Sequence, residues 1–258
     1  MTPLWARAVA LAVRTTWGQR RWGILVIALV VLGGSTRFLN PWDLMVANTS
    51  PQALTAEILP AYLFLEKREL HHPWEALVAQ RLGETRAWWL TQVAAAGVSA
   101  LIVTAGVAAT GVVIPLVTAH WSWAWGPFSR AMQPAHVVAA WAPWGWSLDA
   151  LGLMALGLWA SGALLHLLTL WWQGPWLAWL AVVLLGFLAL TLQLWAQFWV
   201  WWIPGPQFAL LQHWAYGDAY PAAWSVGYAV VLLTVTAAIG VLLLGTPPWE
   251  TTHGGTLR

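Results

Sequence analysis

From Ala150 to Gly217 the chain contains no Asp, Glu, Lys or Arg. No water-soluble fold keeps so long a stretch free of charge, because its surface positions must meet water. The stretch is long enough for two membrane crossings of about 20 residues each. The whole chain follows suit. Of its residues 60% are hydrophobic and 8% charged, with a mean hydropathy of +0.66. Soluble domains average roughly 25% charged residues. An all-α membrane protein is therefore expected, as one transmembrane domain over residues 1–258 with no room for a separate soluble domain. A formal charge of +2 is too small to point to nucleic acid. With no cysteine, disulfides, thiolate chemistry and Cys-ligated metals are excluded. No small-residue cleavage site follows an apolar core near the start, so no removable signal peptide is expected.

Six crossings are predicted, at about residues 22–38, 51–66, 88–117, 148–172, 176–202 and 224–244. Before them, residues 1–21 place Arg7 and Arg14 on one helical face and Leu4, Ala8 and Leu11 on another, which suits an interfacial helix. Asn40-Pro41-Trp42-Asp43 reads as a turn. The second crossing is short and contains Glu57 and Pro60. An intramembrane carboxylate usually faces a partner or a wet cavity; the alternative is that Glu57 stays solvated at the outer interface. The third crossing is rich in Ala, Gly and Ser from Ala94 to Gly111, a face suited to close packing between two copies or two halves. His120–Ser147 reads as a loop. Gln193 and Gln197 lie one turn apart near the end of the fifth crossing and, with Glu57, mark a candidate substrate path.

Twenty-five tryptophans cluster where the apolar runs end. Indole prefers the headgroup layer, so they read as aromatic belts; a haem box is the sharper alternative.

One polar island interrupts the apolar chain. Glu66 to Leu90 holds four of the nine acidic residues (Glu66, Glu69, Glu75, Glu84) and four of the eleven basic ones (Lys67, Arg68, Arg81, Arg86). That density of charge belongs in water. Within it, Pro73–Gly83 fits a short amphipathic helix with Trp74, Leu77, Val78 and Leu82 on one side. It either docks on another protein or packs as a solvated loop on its own neighbours. With the N-terminus inside, nine Lys and Arg residues fall on the inner side and only Arg37 and Arg130 outside. This positive-inside bias places both termini in the cytoplasm.

The segment Arg81-Leu-Gly-Glu-Thr-Arg86-Ala-Trp-Trp-Leu90 resembles the R-x-G-x-R/K … W-W stretch with which many bacterial ABC-2 permeases enter their third helix. The six-crossing layout, interfacial helix and cytosolic loop between crossings two and three are similar too. The resemblance implies a membrane-spanning subunit of an ABC exporter in the bacterial plasma membrane. It implies a coupling helix at Pro73–Arg86, with Trp74, Glu75, Leu77, Val78, Arg81, Leu82, Glu84 and Arg86 against an ATPase subunit. It also implies a second permease copy or paralogue. The chain has no Walker A sequence, so ATP and Mg are expected on the partner and no cofactor on this chain. The Trp content departs from the family pattern. The apolar interior and aromatic outer loops favour an amphiphilic substrate such as a peptide, lipid or drug.

Three other readings compete. Trp141-Ala-Pro-Trp-Gly-Trp-Ser-Leu-Asp149, with His120, His136 and His213, faintly resembles the Trp-rich outer motif of cytochrome c maturation proteins, although Asp149 does not directly follow tandem Trp. That would imply a haem-handling protein. An intramembrane enzyme would need paired acids, a nucleophile with its base, or metal ligands at helical spacing. His71 and His72 are adjacent and point apart; His166 stands alone and reads as a packed, hydrogen-bonded residue. No metal site is expected. An inert scaffold subunit is the fourth reading.

Overall fold

The computed structural model describes residues 6, 10, 40–69, 85–118, 120–133, 135–172, 175–195 and 222–244. All elements among these residues are helical. The predicted crossing at 22–38 and the interfacial N-terminal helix lie outside them, apart from Ala6 and Ala10. So does the segment from Leu70 to Glu84.

Three helices are long and apolar enough to cross a membrane, within Arg86–Val117, Pro143–Leu170 and Ala223–Leu243. Their surfaces differ from those of a water-soluble protein. Gln92, Ser99, Ser225 and Thr236 are buried, whereas Leu101, Val113, Val231 and Leu242 are exposed. Polar groups turned inward and branched aliphatics turned outward fit helices surrounded by an apolar medium.

Helix α1 (Pro41–Asn48) stands where the sequence reads as a turn. Asn40 is its N-cap, accepting from the Trp42 N–H at 2.9 Å, and Pro41 occupies the first helical position. Asn-Pro starts this helix because proline supplies φ without needing an N–H partner. Helix α2 follows at once. Ser50 caps it, Pro51–Ala53 begins it, Leu54–Ile58 forms a π-helical turn, and Leu59–Glu69 completes it. The π turn immediately precedes Pro60. A proline clashes with the carbonyl four residues back and donates no hydrogen bond, and the wider turn relieves both problems.

Helix α3 (Thr85–Val117) has 33 residues, about 50 Å at 1.5 Å per residue. Two short helices, α4 (Pro127–Met132) and α5 (Ala135–Ala140), interrupt the segment expected to be a loop. Helix α6 (Pro143–Trp171) begins earlier than the expected crossing and absorbs Pro143–Ser147. Helices α7 (Pro175–Trp195) and α8 (Ala222–Leu244) complete the described chain.

The directions alternate. Tyr62 of α2 meets Ala96 of α3, Trp159 of α6 meets Val93, Trp179 of α7 meets Pro60, and Trp89 of α3 meets Ala237 of α8. Taken with the Glu66–His166 contact, these pairs make α2, α6 and α8 run one way and α3 and α7 the other. Helix α6 lies against α3 and α8 and touches α2 and α7. The central core gathers Ile58, Tyr62, Val107, Leu158, Val182 and Ala229 from all five.

Several tryptophans act as clasps between helices. Trp89, Trp159 and Trp179 donate their Nε1–H to the carbonyls of Ala237 (3.0 Å), Val93 (2.7 Å) and Pro60 (3.3 Å), and the Tyr62 hydroxyl donates to Ala96 at 3.0 Å. Glycine faces three of these rings: Gly240 under Trp89, Gly97 under Trp159 and Gly162 under Tyr62. A Cβ at those positions would strike the ring. Part of the small-residue face of α3 is thus used within the chain, against α6. Trp144, Trp172, Trp176 and Trp224, by contrast, lie exposed near helix ends, as belt residues would.

The end of the bundle where α3 finishes is closed by an aromatic cluster. Trp42 lies within 6.4 Å, centroid to centroid, of Trp121 and Trp123, and donates to the Ser122 carbonyl at 2.8 Å. Asp43, 3% exposed, fastens α4 by accepting from the Ser129 N–H (2.7 Å), the Ser129 hydroxyl (2.5 Å) and the Phe128 N–H (3.3 Å). These are charge-assisted bonds to the first turn of a helix, where a carboxylate is favoured. Asp43→Ala should therefore lower stability by about 2–3 kcal/mol, with faster amide exchange at Phe128 and Ser129. Unchanged exchange there would show that α4 holds without Asp43.

Candidate functional site

Two places gather chemistry. The first is a buried pair at the end of the bundle opposite the aromatic cluster. Glu66 Oε2 lies 3.1 Å from His166 Nε2, and both side chains are 1% exposed. The sequence expectation assigned Glu66 to the water-exposed island; the structure corrects this. Leu59, Tyr62, Leu63 and Glu66 follow the i, i+3, i+4, i+7 spacing of one helical stripe, and all are buried. The stripe carries Glu66 into the bundle while its neighbours continue the charged run. His166 continues the stripe of Leu158 and Gly162 on α6. Its Nδ1 has no hydrogen-bond partner among the described residues. Burying two ionisable groups is costly unless they satisfy one another, so the pair accounts for both placements.

The second place is a cleft of about 700 Å³ between α3, α6 and α8. Ala94, Gly97, Val98 and Leu101 form the α3 wall. Leu148 to Trp159 supply the α6 wall, and Ala223 and Val226 close one end. Among the described residues, Asp149 is the only charged one in the lining. A Cβ on Gly152 would meet nothing within 4 Å, so the cleft is open at its middle. Asp149 and Gly152 sit on one face of α6 with Leu156 and Trp159, at i, i+3, i+7 and i+10; that spacing is the signal by which the sequence announces the face.

Of the candidate residues read from sequence, Arg86 lies exposed in the first turn of α3. Trp74, Glu75, Leu77, Val78, Arg81, Leu82 and Glu84 fall outside the described residues, as does Gln197. Glu57 stands exposed on the π turn of α2 and is not part of the cleft lining. Gln193 lies on α7. Trp146 is buried against Trp125 at 6.1 Å, while Trp141 and Trp144 are exposed. His120 is exposed and its Nδ1 contacts the Thr118 carbonyl; His136 lies on α5 and His213 outside the described residues. Among the described residues no three His, Asp or Glu side chains gather as a metal site would require.

No protein-family model, curated protein or solved structure matches this chain.

Proposed function

We propose that the chain is the membrane-spanning subunit of an ABC-type exporter of amphiphilic substrates, driven by a separate ATPase chain. In this reading six helices cross the bacterial plasma membrane, both termini are cytoplasmic, and a second copy or a paralogue completes the permease. ATP and Mg stay on the partner, and this chain catalyses no reaction. The observation that carries the reading is the continuity of α3. Its described part runs from Thr85, within the charged segment, unbroken past the cleft wall at Ala94–Leu101 to Val117. A push delivered at Arg86 would travel along one helix to the cleft, because sharp kinks arise at identifiable features such as proline and none precedes the cleft in α3. Pro115 is the only proline inside α3, and it lies beyond the cleft.

The test is affinity capture of the full-length chain from its native membrane, with the co-purifying chains identified by mass spectrometry. An ATP-binding chain should accompany the wild type. Substituting Glu75, Arg81 and Glu84 together by Ala should reduce its recovery by roughly 10-fold, the scale of losing a few charged contacts at an interface. Absence of any ATP-binding chain from the wild-type capture would refute the proposal, and undiminished recovery with the triple variant would refute the docking site.

A further inference from the structure

We infer that the cleft between α3, α6 and α8 binds a single-chain cationic amphiphile, its cation on Asp149 and its chain along Gly97, Gly152 and Trp159. This names a substrate class for the transport reading above and rests on that reading only for the word substrate.

The charge comes first. Asp149 is the seventh residue of α6, about 9 Å along the helix from its start. That depth is beyond the first turn, where the helix dipole favours an anion. The nearest belt residue on the same helix is the exposed Trp144. Asp149 is exposed near the N-terminal end of α6, so its carboxylate stands at the mouth of an otherwise apolar cleft, open to an incoming cation. Among the described residues no cation lies against it: neither Arg86 nor Arg130 reaches Asp149, and the contact of salt-bridge length among those residues is Glu66 with His166, elsewhere in the bundle. The other described lining residues carry no charge. A cation is the complement, an anion is repelled, and a neutral head gains nothing from the carboxylate.

The shape comes second. About 700 Å³ falls within the range of small-ligand sites. The walls are alanine, glycine, valine and leucine, with the Trp159 indole against Gly97 on the floor. Trp159 is held in place by its own bond to the Val93 carbonyl, so the floor is fixed before any ligand arrives. Leu148 and Val226 at the rim are exposed, which lets a chain enter sideways from the apolar surroundings. Gly152 leaves the space that a chain would fill.

The test uses the full-length protein in maltoside micelles and spin-labelled hexadecyltrimethylammonium as probe. Hexadecyl chains bearing an uncharged head and a sulfate head serve as matched comparisons. The wild type should bind the cation saturably and roughly 10-fold more tightly than the uncharged chain, the scale of one partly screened ion pair. Asp149→Asn should bind cationic and uncharged chains alike. Gly152→Leu should lose both, while its unfolding midpoint stays near that of the wild type because a Cβ there meets nothing within 4 Å and the rest of the side chain has the open cleft to enter. Cation preference surviving in Asp149→Asn, binding surviving in Gly152→Leu, equal uptake of the sulfate, or no saturable binding by the wild type would each overturn the inference. A Gly152→Cys variant that crosslinks to a second copy in native membranes would overturn it as well, since a protein surface would then fill the cleft. The binding test needs no ATPase. A missing ATPase partner therefore leaves it standing, and failed binding leaves the partnership of the two chains untouched.

Discussion

Replacing His166 by Leu will cost the folded protein about 3–5 kcal/mol, measured as a loss in denaturant or thermal unfolding of the purified protein in detergent. The side chain itself contributes little packing that leucine cannot supply. What is lost is the partner of Glu66. Glu66 is enclosed by α2 and α6, on the same stripe as Tyr62 and Leu63, with Oε2 facing His166 Nε2 at 3.1 Å. Without the imidazole it is an unpaired ionisable group in an apolar site, and such a group is far more expensive than a lost hydrogen bond. Glu66→Leu with His166→Leu should then recover most of the stability. Exchanging a buried pair for apolar residues of similar volume is often neutral or stabilising. The diagnostic is the sign of the coupling: the double variant should be more stable than His166→Leu alone. Additive losses would mean that the two side chains do not depend on one another.

This pair also marks where sequence reading reached its limit. The long helices were legible because hydropathy is a local property. The expected crossings at 88–117, 148–172 and 224–244 overlap α3, α6 and α8, the three described helices long and apolar enough to cross a membrane. Glu66 was misread for a local reason too. It opens a charged run with Lys67, Arg68 and Glu69, and composition outweighed the spacing that joins it to Leu59, Tyr62 and Leu63. The Asn40-Pro41 pair was misread because the same two residue types begin turns and cap helices; only the apolar run that follows, with Leu44, Met45 and Val46 all buried, distinguishes the cases. The tryptophans divide along another line. Those at helix ends obey the interface preference of indole, which any window of sequence reveals. Trp89 and Trp159 instead depend on a carbonyl and a glycine far along the chain, at Ala237 with Gly240 and at Val93 with Gly97. No periodicity links such distant positions. The cleft was legible only in part: the spacing of Asp149, Gly152, Leu156 and Trp159 marks one face of α6, but nothing local brings α3 and α8 opposite it.

The clasp between α3 and α8 supplies the second large effect. Gly240→Ala should destabilise the protein, and Gly227→Ala, on the same helix, should not. Intrinsic propensity favours alanine over glycine inside a helix by about 1 kcal/mol, so propensity alone predicts that both changes stabilise. The surroundings decide otherwise at one of them. A Cβ on Gly227 meets nothing within 4 Å, whereas a Cβ on Gly240 would fall inside the Trp89 indole. That indole is buried and fixed by its N–H bond to the Ala237 carbonyl at 3.0 Å. It is also packed with Val93, Ala163 and Leu167, so it cannot swing aside without displacing α6. Overpacking of this kind costs about 1–3 kcal/mol, and loss of the interhelical bond adds roughly 0.6–1.7 kcal/mol. Together they exceed the propensity gain, so Gly240→Ala should lower the unfolding midpoint while Gly227→Ala raises it or leaves it unchanged. Adding Trp89→Leu to Gly240→Ala should remove the clash and make the glycine change less harmful than in the presence of the indole. If Gly240→Ala proves as stable as Gly227→Ala, Trp89 is not seated on α8 and the clasp that sets the spacing of α3 and α8 at this end of the bundle is wrong.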